Sequence, residues 1–147
     1  MKNLLVCTLL FASAFTLNAQ VANTRIYAAE KLAKVKEKAD SPLYAPAVKT
    51  LLRDADKALK MTPPSVMDKT MTADSGDKHD YMSMGPYWWP DPSKPDGLPY
   101  IRKDGLRNPE LDKLDRNKLG DMSKAVTTLG LAYYFSSDEK YAQKAVD

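Results

Sequence analysis

The sequence predicts an all-α fold built from antiparallel helix pairs. Apolar residues recur at three- and four-residue spacing in several separate stretches, as expected of helices with one buried face. No run of period-two alternation is long enough to support a sheet. Prolines gather at the ends of the periodic stretches or between them, where a missing N–H is tolerated. Periodicity alone leaves a bundle, a helical-repeat scaffold and an α/α toroid open, and no internal repeat selects among them.

The composition sets outer bounds. In 147 residues, 44% are hydrophobic and 28% charged, which excludes a disordered polyampholyte and a multi-span membrane protein. A net charge of +3 supplies no argument for nucleic-acid binding, which calls for a clustered basic face. One histidine and one cysteine cannot furnish a self-contained zinc site, and no metal or cofactor is expected.

The chain opens as a secretory signal. Lys2 gives a basic start, residues 4–17 are uncharged and largely apolar, and Asn18-Ala19-Gln20 offers a cut after Ala19. The run is too short for a membrane span, which needs about 20 apolar residues. Residues 1–19 are thus expected to be removed, leaving residues 20–147 as an exported chain. Cys7 leaves with the signal, so the exported chain holds together by packing without disulfides.

The first helix is expected over residues 23–40, with Ala28, Leu32, Val35 and Ala39 on one face and Asn23 or Thr24 as cap. The second runs from residues 41–44 to Met61, with its stripe at Tyr44, Ala47, Val48, Leu51, Leu52, Ala55, Ala58 and Leu59. Pro63-Pro64 ends it. The third spans residues 115–135, and Leu119, Met122, Ala125, Val126, Leu129, Ala132 and Tyr133 are its expected core face. Ser137 or Asp138 caps a fourth, with Tyr141, Ala142, Ala145 and Val146 on one side. Tyr133, Tyr134 and Tyr141 are expected in the core. The fourth helix is still running at Asp147, so the chain is expected to stop inside its domain.

Residues 75–109 break the helical pattern. They hold Pro86, Pro90, Pro92, Pro95, Pro99 and Pro109, both tryptophans and the single histidine. Long irregular stretches are functional or disordered, and disorder is poor in aromatics. A stretch with Tyr81, Tyr87, Trp88, Trp89 and Tyr100 is therefore expected to be an ordered loop. Aromatic rings beside acids and amides suit a sugar, whose apolar face stacks while its hydroxyls hydrogen-bond. Lys78, Arg102, Lys103 and Arg107 could pair with sugar carboxylates, although acids balance bases across the loop. Trp88 and Trp89 are adjacent and should face opposite ways, one towards a cleft and one anchoring the loop. His79 serves either substrate contact or a loop-fixing hydrogen bond. Tyr81 and Tyr87 read first as core or loop-packing residues and second as substrate contacts. Asp91-Pro92 and Asp96-Gly97 read as turn formers, and Met82 and Met84 as gap-fillers. Lys78, His79, Asp80, Tyr81, Tyr87, Trp88 and Trp89 are the candidate substrate-binding residues.

The run KHDYMSMGPYWWPDPSKPDGLPYIRKDGLRNPE, residues 78–110, resembles the opening signature of the alginate lyase superfamily domain. DMSKAVTTLGLAYYFSSDEKYAQKAV, residues 121–146, is similar to the family's next helical element. The resemblance implies an incomplete α/α toroid, periplasmic or secreted, of which residues 20–147 are the N-terminal part, and which cleaves uronic-acid polysaccharides, alginate or relatives such as glucuronan, by β-elimination. A base takes the C5 proton while the uronate carboxylate is neutralised, and an acid protonates the departing C4 oxygen. In the family an Asn-His pair and a later Tyr-Arg set meet these needs, downstream of the signature. None matches here, so the catalytic residues are expected beyond Asp147, and His79 is not the family's catalytic histidine. The chain would carry the entry part of the cleft. The alternatives are a non-catalytic glycan-binding remnant and a helical scaffold.

Overall fold

The structure is a computed structural model that describes residues 26–147. The expected signal at residues 1–19, and the capping residues Asn23 and Thr24, lie outside the described residues. Half of the described residues are helical, which agrees with the all-α class. The described residues fall into two units, residues 26–38 and Ala39–Asp147.

In the first unit, α1 covers Ala29–Glu37. It starts later than periodicity suggests, because residues 26–28 bend and Ala28 stands at the N-cap position with extended backbone and no capping side chain.

The second unit holds α2 (Ala45–Ala58), α3 (Asp115–Ser136) and α4 (Glu139–Val146). Pro46 lies in the first turn of α2, where no intrahelical N–H is lost. Ser137 adopts a left-handed conformation at φ 57° and closes α3. Asp138 then caps α4 by accepting from the Lys140 N–H at 3.2 Å, as the sequence suggested. Helices α2 and α4 both pack on α3. Ala55, Leu129, Ala132 and Tyr141 form the buried centre, flanked by Leu51, Leu52, Ala58, Leu59 and Ala145. The Tyr141 hydroxyl donates to Asp56 Oδ1 at 2.8 Å, joining α4 to α2. No helix among the described residues is long and apolar enough to cross a membrane.

Two expectations need correction. The α3 stripe is only partly a core face: Leu129 and Ala132 are buried, but Leu119, Met122 and Val126 are 48%, 37% and 45% exposed. Within the second unit, α3 contributes Leu129 and Ala132, both in its C-terminal half, to the buried cluster shared with α2 and α4. Tyr133 is also exposed rather than core, its hydroxyl donating to Glu139 Oε1 at 3.1 Å.

Candidate functional site

Between α2 and α3 the chain is irregular but tied down. It contains a 3-10 turn at Val66–Asp68, a small antiparallel pair β1 (Trp88–Trp89) with β2 (Ile101–Arg102), and a second 3-10 turn at Pro109–Lys113. Turn chemistry shapes the tip. Asp91 Oδ1 accepts from the Ser93 N–H at 2.9 Å, and Asp96 Oδ1 from the Leu98 N–H at 3.0 Å. Gly97 has φ +71°, and a Cβ there would lie 2.8 Å from Pro90 Cβ, so only glycine fits. Both Asp-containing dipeptides are therefore turn formers, as expected.

Register separates the tryptophans. Trp88 stands opposite Arg102 and Trp89 opposite Ile101, so the two indoles point to opposite faces of the pair. Trp89 is the anchored one. Its Nε1–H donates to the Leu106 carbonyl at 2.9 Å, and the Lys103 ammonium lies 5.1 Å from its ring centre. Trp88 is 44% exposed and lies against Gly85, where a Cβ would approach its Cδ1 to 2.5 Å. Tyr81 and Tyr87 are exposed rather than packed into the loop.

Three buried polar residues hold this arrangement. Asn108 caps the second 3-10 turn by accepting from the Glu110 N–H at 3.0 Å. Its amide donates to the Trp88 carbonyl at 2.9 Å and reaches Met84 Sδ at 3.5 Å, while its backbone N–H donates to the Pro86 carbonyl at 2.6 Å. Lys69 is 1% exposed, and its ammonium donates to the Val66 and Lys78 carbonyls, both at 2.5 Å. It also lies 3.1 Å from Asp115 Oδ2 at the first turn of α3. That same oxygen accepts from the Met82 N–H at 2.8 Å, and the Asp115 N–H donates to the Met82 carbonyl at 3.1 Å. Burial pushes the Asp115 carboxyl up, but the Met82 N–H and the Lys69 ammonium together outweigh it and leave its pKa below the ordinary carboxylate value.

Of the other candidates, His79 is fastened locally. Its backbone N–H donates to Asp77 Oδ1 at 2.8 Å, and its Nδ1 lies 2.9 Å from the same oxygen. The backbone N–H first and the ring second hold the Asp77 carboxyl below its ordinary value. Asp80 is exposed, and Lys78 is half-buried and makes no ion pair among the described residues. Two cations that could meet a sugar carboxylate are engaged: Arg102 with Asp104 at 2.7 Å, and Arg107 in a two-pronged pair with Asp112. A cleft of about 140 Å³ opens between Pro64, Val66, Tyr81 and the α3 residues Lys118, Leu119 and Met122. Tyr81 is the candidate residue that lines it, whereas Trp88 stands on the β1–β2 pair. The seven candidates are thus strung along the loop between α2 and α3, with Tyr81 on this cleft and Trp88 on the strand pair. Among the described residues, no group of three or more His, Cys, Asp or Glu side chains could hold a metal ion.

Sequence reasoning missed Lys69, Asn108 and Asp115. Asn108-Pro109 carries a readable signal, an amide cap before a proline at the first helical position. Lys69 carries none, since its partners are two carbonyls and a carboxylate far along the chain.

No curated protein matches the chain. The crystal structure of an alginate lyase from Bacteroides ovatus at 1.60 Å resolution is 98% identical over the matched region, with a TM-score of 0.78. The match covers 86% of this chain and 33% of that one, so this chain spans about a third of that relative. The family model for alginate lyase matches residues 65–147, from the first 3-10 turn through the tethered loop to the end of α4. With more than half of its length inside that match, the chain belongs to the alginate lyase family.

Proposed function

We propose that this chain is the N-terminal part of an exported polysaccharide lyase, acting in the periplasm or outside the cell on alginate or a related polyuronate by β-elimination. The family match over the loop and α3–α4 carries the reading, supported by the near-identical relative described as an alginate lyase. Within it, the loop forms an entry wall of the substrate cleft. Trp88, Tyr81 and Tyr87 present exposed rings suited to the apolar faces of sugars, while Lys78, His79, Asp80 and the anchored Trp89 border them.

In this reading the described residues contribute aromatic stacking and hydrogen bonding to the saccharide, while β-elimination also needs a base and a carboxylate-neutralising group. The family resemblance implies that these last groups, and the proton transfers at C5 and at the C4 oxygen, belong to residues outside this chain. The exposed α3 stripe at Leu119, Met122 and Val126 supports further helices packing there, in the manner of an α/α toroid. An apolar groove of about 210 Å³ beside it, between Met61, Pro63, Val126 and Val146, supports the same reading.

Two measurements on the purified chain test the proposal. Incubated with alginate or glucuronan, it should give no rise in the ultraviolet absorbance of unsaturated uronate, yet it should be retarded in a polyuronate affinity gel. Turnover would place catalytic groups within this chain. Unretarded migration would remove the cleft-wall role and favour a scaffold.

A further inference from the structure

The buried Lys69–Asp115 pair is not among the seven candidates, although Asp115 borders the Tyr81 cleft, and both of its members grip the segment that carries four of those candidates. The Lys69 ammonium holds the Lys78 carbonyl, and Asp115 holds both the N–H and the carbonyl of Met82. His79, Asp80 and Tyr81 hang between these two fixed points, and the points converge on one ion pair 3.1 Å across. Through Asp115 the segment is registered against the start of α3, the helix whose Lys118, Leu119 and Met122 form the other wall of the Tyr81 cleft.

We propose that Lys69 and Asp115 are positioning residues that set the placement of His79, Asp80 and Tyr81 for saccharide binding, a proposal that rests on the loop's being a sugar-binding wall. Burying two charges is an inefficient way to gain stability, because desolvation offsets most of the attraction. Asp115 Oδ1 is moreover buried with no hydrogen-bond partner among the described residues, so the pair is not optimised as a stabilising contact. What the pair supplies is directional: an ammonium that aims at two carbonyls and one carboxylate at once, and a carboxylate that fixes a backbone amide. A well-packed apolar pair could fill the same space but could not hold these backbone groups.

The experiment compares the parent chain with Asp115→Asn, Lys69→Met and the double variant Lys69→Met/Asp115→Leu. Three readouts are melting temperature, site-resolved amide exchange and affinity for short alginate oligosaccharides. The double variant should melt about 5 °C below the parent, since apolar replacement of the ion pair itself is often neutral but the backbone groups it held lose their partners. It should lose protection at the Met82 amide, keep protection in α3, and bind at least about tenfold more weakly. Asp115→Asn keeps an acceptor for the Met82 N–H and should retain more affinity than the double variant. A double variant that binds within about twofold of the parent would overturn the proposal. So would exchange that accelerates equally in α3 and the loop, which would mark a general structural role. If the parent binds no oligosaccharide, the sugar-binding reading fails, and with it the proposed purpose of the pair. The exchange pattern would still separate a local tether from a global one.

Discussion

The helical layer and the loop of residues 65–113 are held by opposite means. Helices α2, α3 and α4 close over Ala55, Leu129, Ala132 and Tyr141, an apolar centre with one hydroxyl reaching out to Asp56. The loop buries Leu111, with Leu114 just beyond it, but its backbone is fixed by directional bonds from Lys69, Asn108 and Asp115. Its large rings are consequently left outside, with Tyr81, Tyr87 and Trp88 all exposed. Apolar burial is non-directional and consumes side chains, whereas polar tethers fix backbone and leave side chains for a ligand. A loop that must be rigid and also present aromatic surface is better held the second way.

The contrast can be broken at either end. Leu129→Ala should have the largest effect, costing about 3 kcal/mol from lost burial and the cavity left behind. It should lower the melting transition of all three helices in far-ultraviolet circular dichroism. If the loop amides alone respond, the two regions have been wrongly divided.

Asn108→Ala removes a cap and the amide's bond to the Trp88 carbonyl, and should cost about 2 kcal/mol. Native-state exchange should quicken at Trp88 and Glu110 while α3 amides keep their protection. Equal acceleration throughout would mean that the tethers and the core form one cooperative unit.

Acid should act on the loop before the helices. The Asp115 carboxyl titrates below its ordinary value in the folded chain, so its contribution is complete above the unfolded pKa of about 3.9 and is lost as pH falls through the lower folded value. Met82 amide protection should therefore persist at pH 5 and decline below about pH 4. A decline centred near neutrality would assign the tether to another group.

Ser137→Gly should show the smallest effect and the opposite sign. Serine at φ 57° pays for a left-handed conformation that glycine adopts freely, so the variant should gain about 0.5 kcal/mol. A loss instead would show that unfolded-state entropy dominates at this turn.

The two regions were not equally legible in the sequence. The apolar stripes and Pro63-Pro64 marked α2, α3 and α4 to within a few residues, because helical periodicity is a local property. That locality is also its limit: the α3 stripe told which face is apolar but not what covers it, and Leu119, Met122 and Val126 are exposed. The opposed tryptophans were legible from adjacency alone, since neighbouring residues in an extended pair alternate faces. The Lys69–Asp115 tether was not, because a lysine between polar neighbours reads as solvated until the fold brings its distant partner within 3.1 Å. The seven candidate residues lie between α2 and α3, where their position in the sequence puts them, and their shared role is a matter for binding experiments.

The most direct of these is a titration of the chain with short alginate oligosaccharides, followed by tryptophan fluorescence in the parent and in Trp88→Ala. If the tethered loop is a sugar-binding wall, the parent should show a saturable change and Trp88→Ala should lose both the change and the affinity, with its melting temperature unaltered. No saturable change in the parent, or undiminished affinity in Trp88→Ala by calorimetry, would contradict the account.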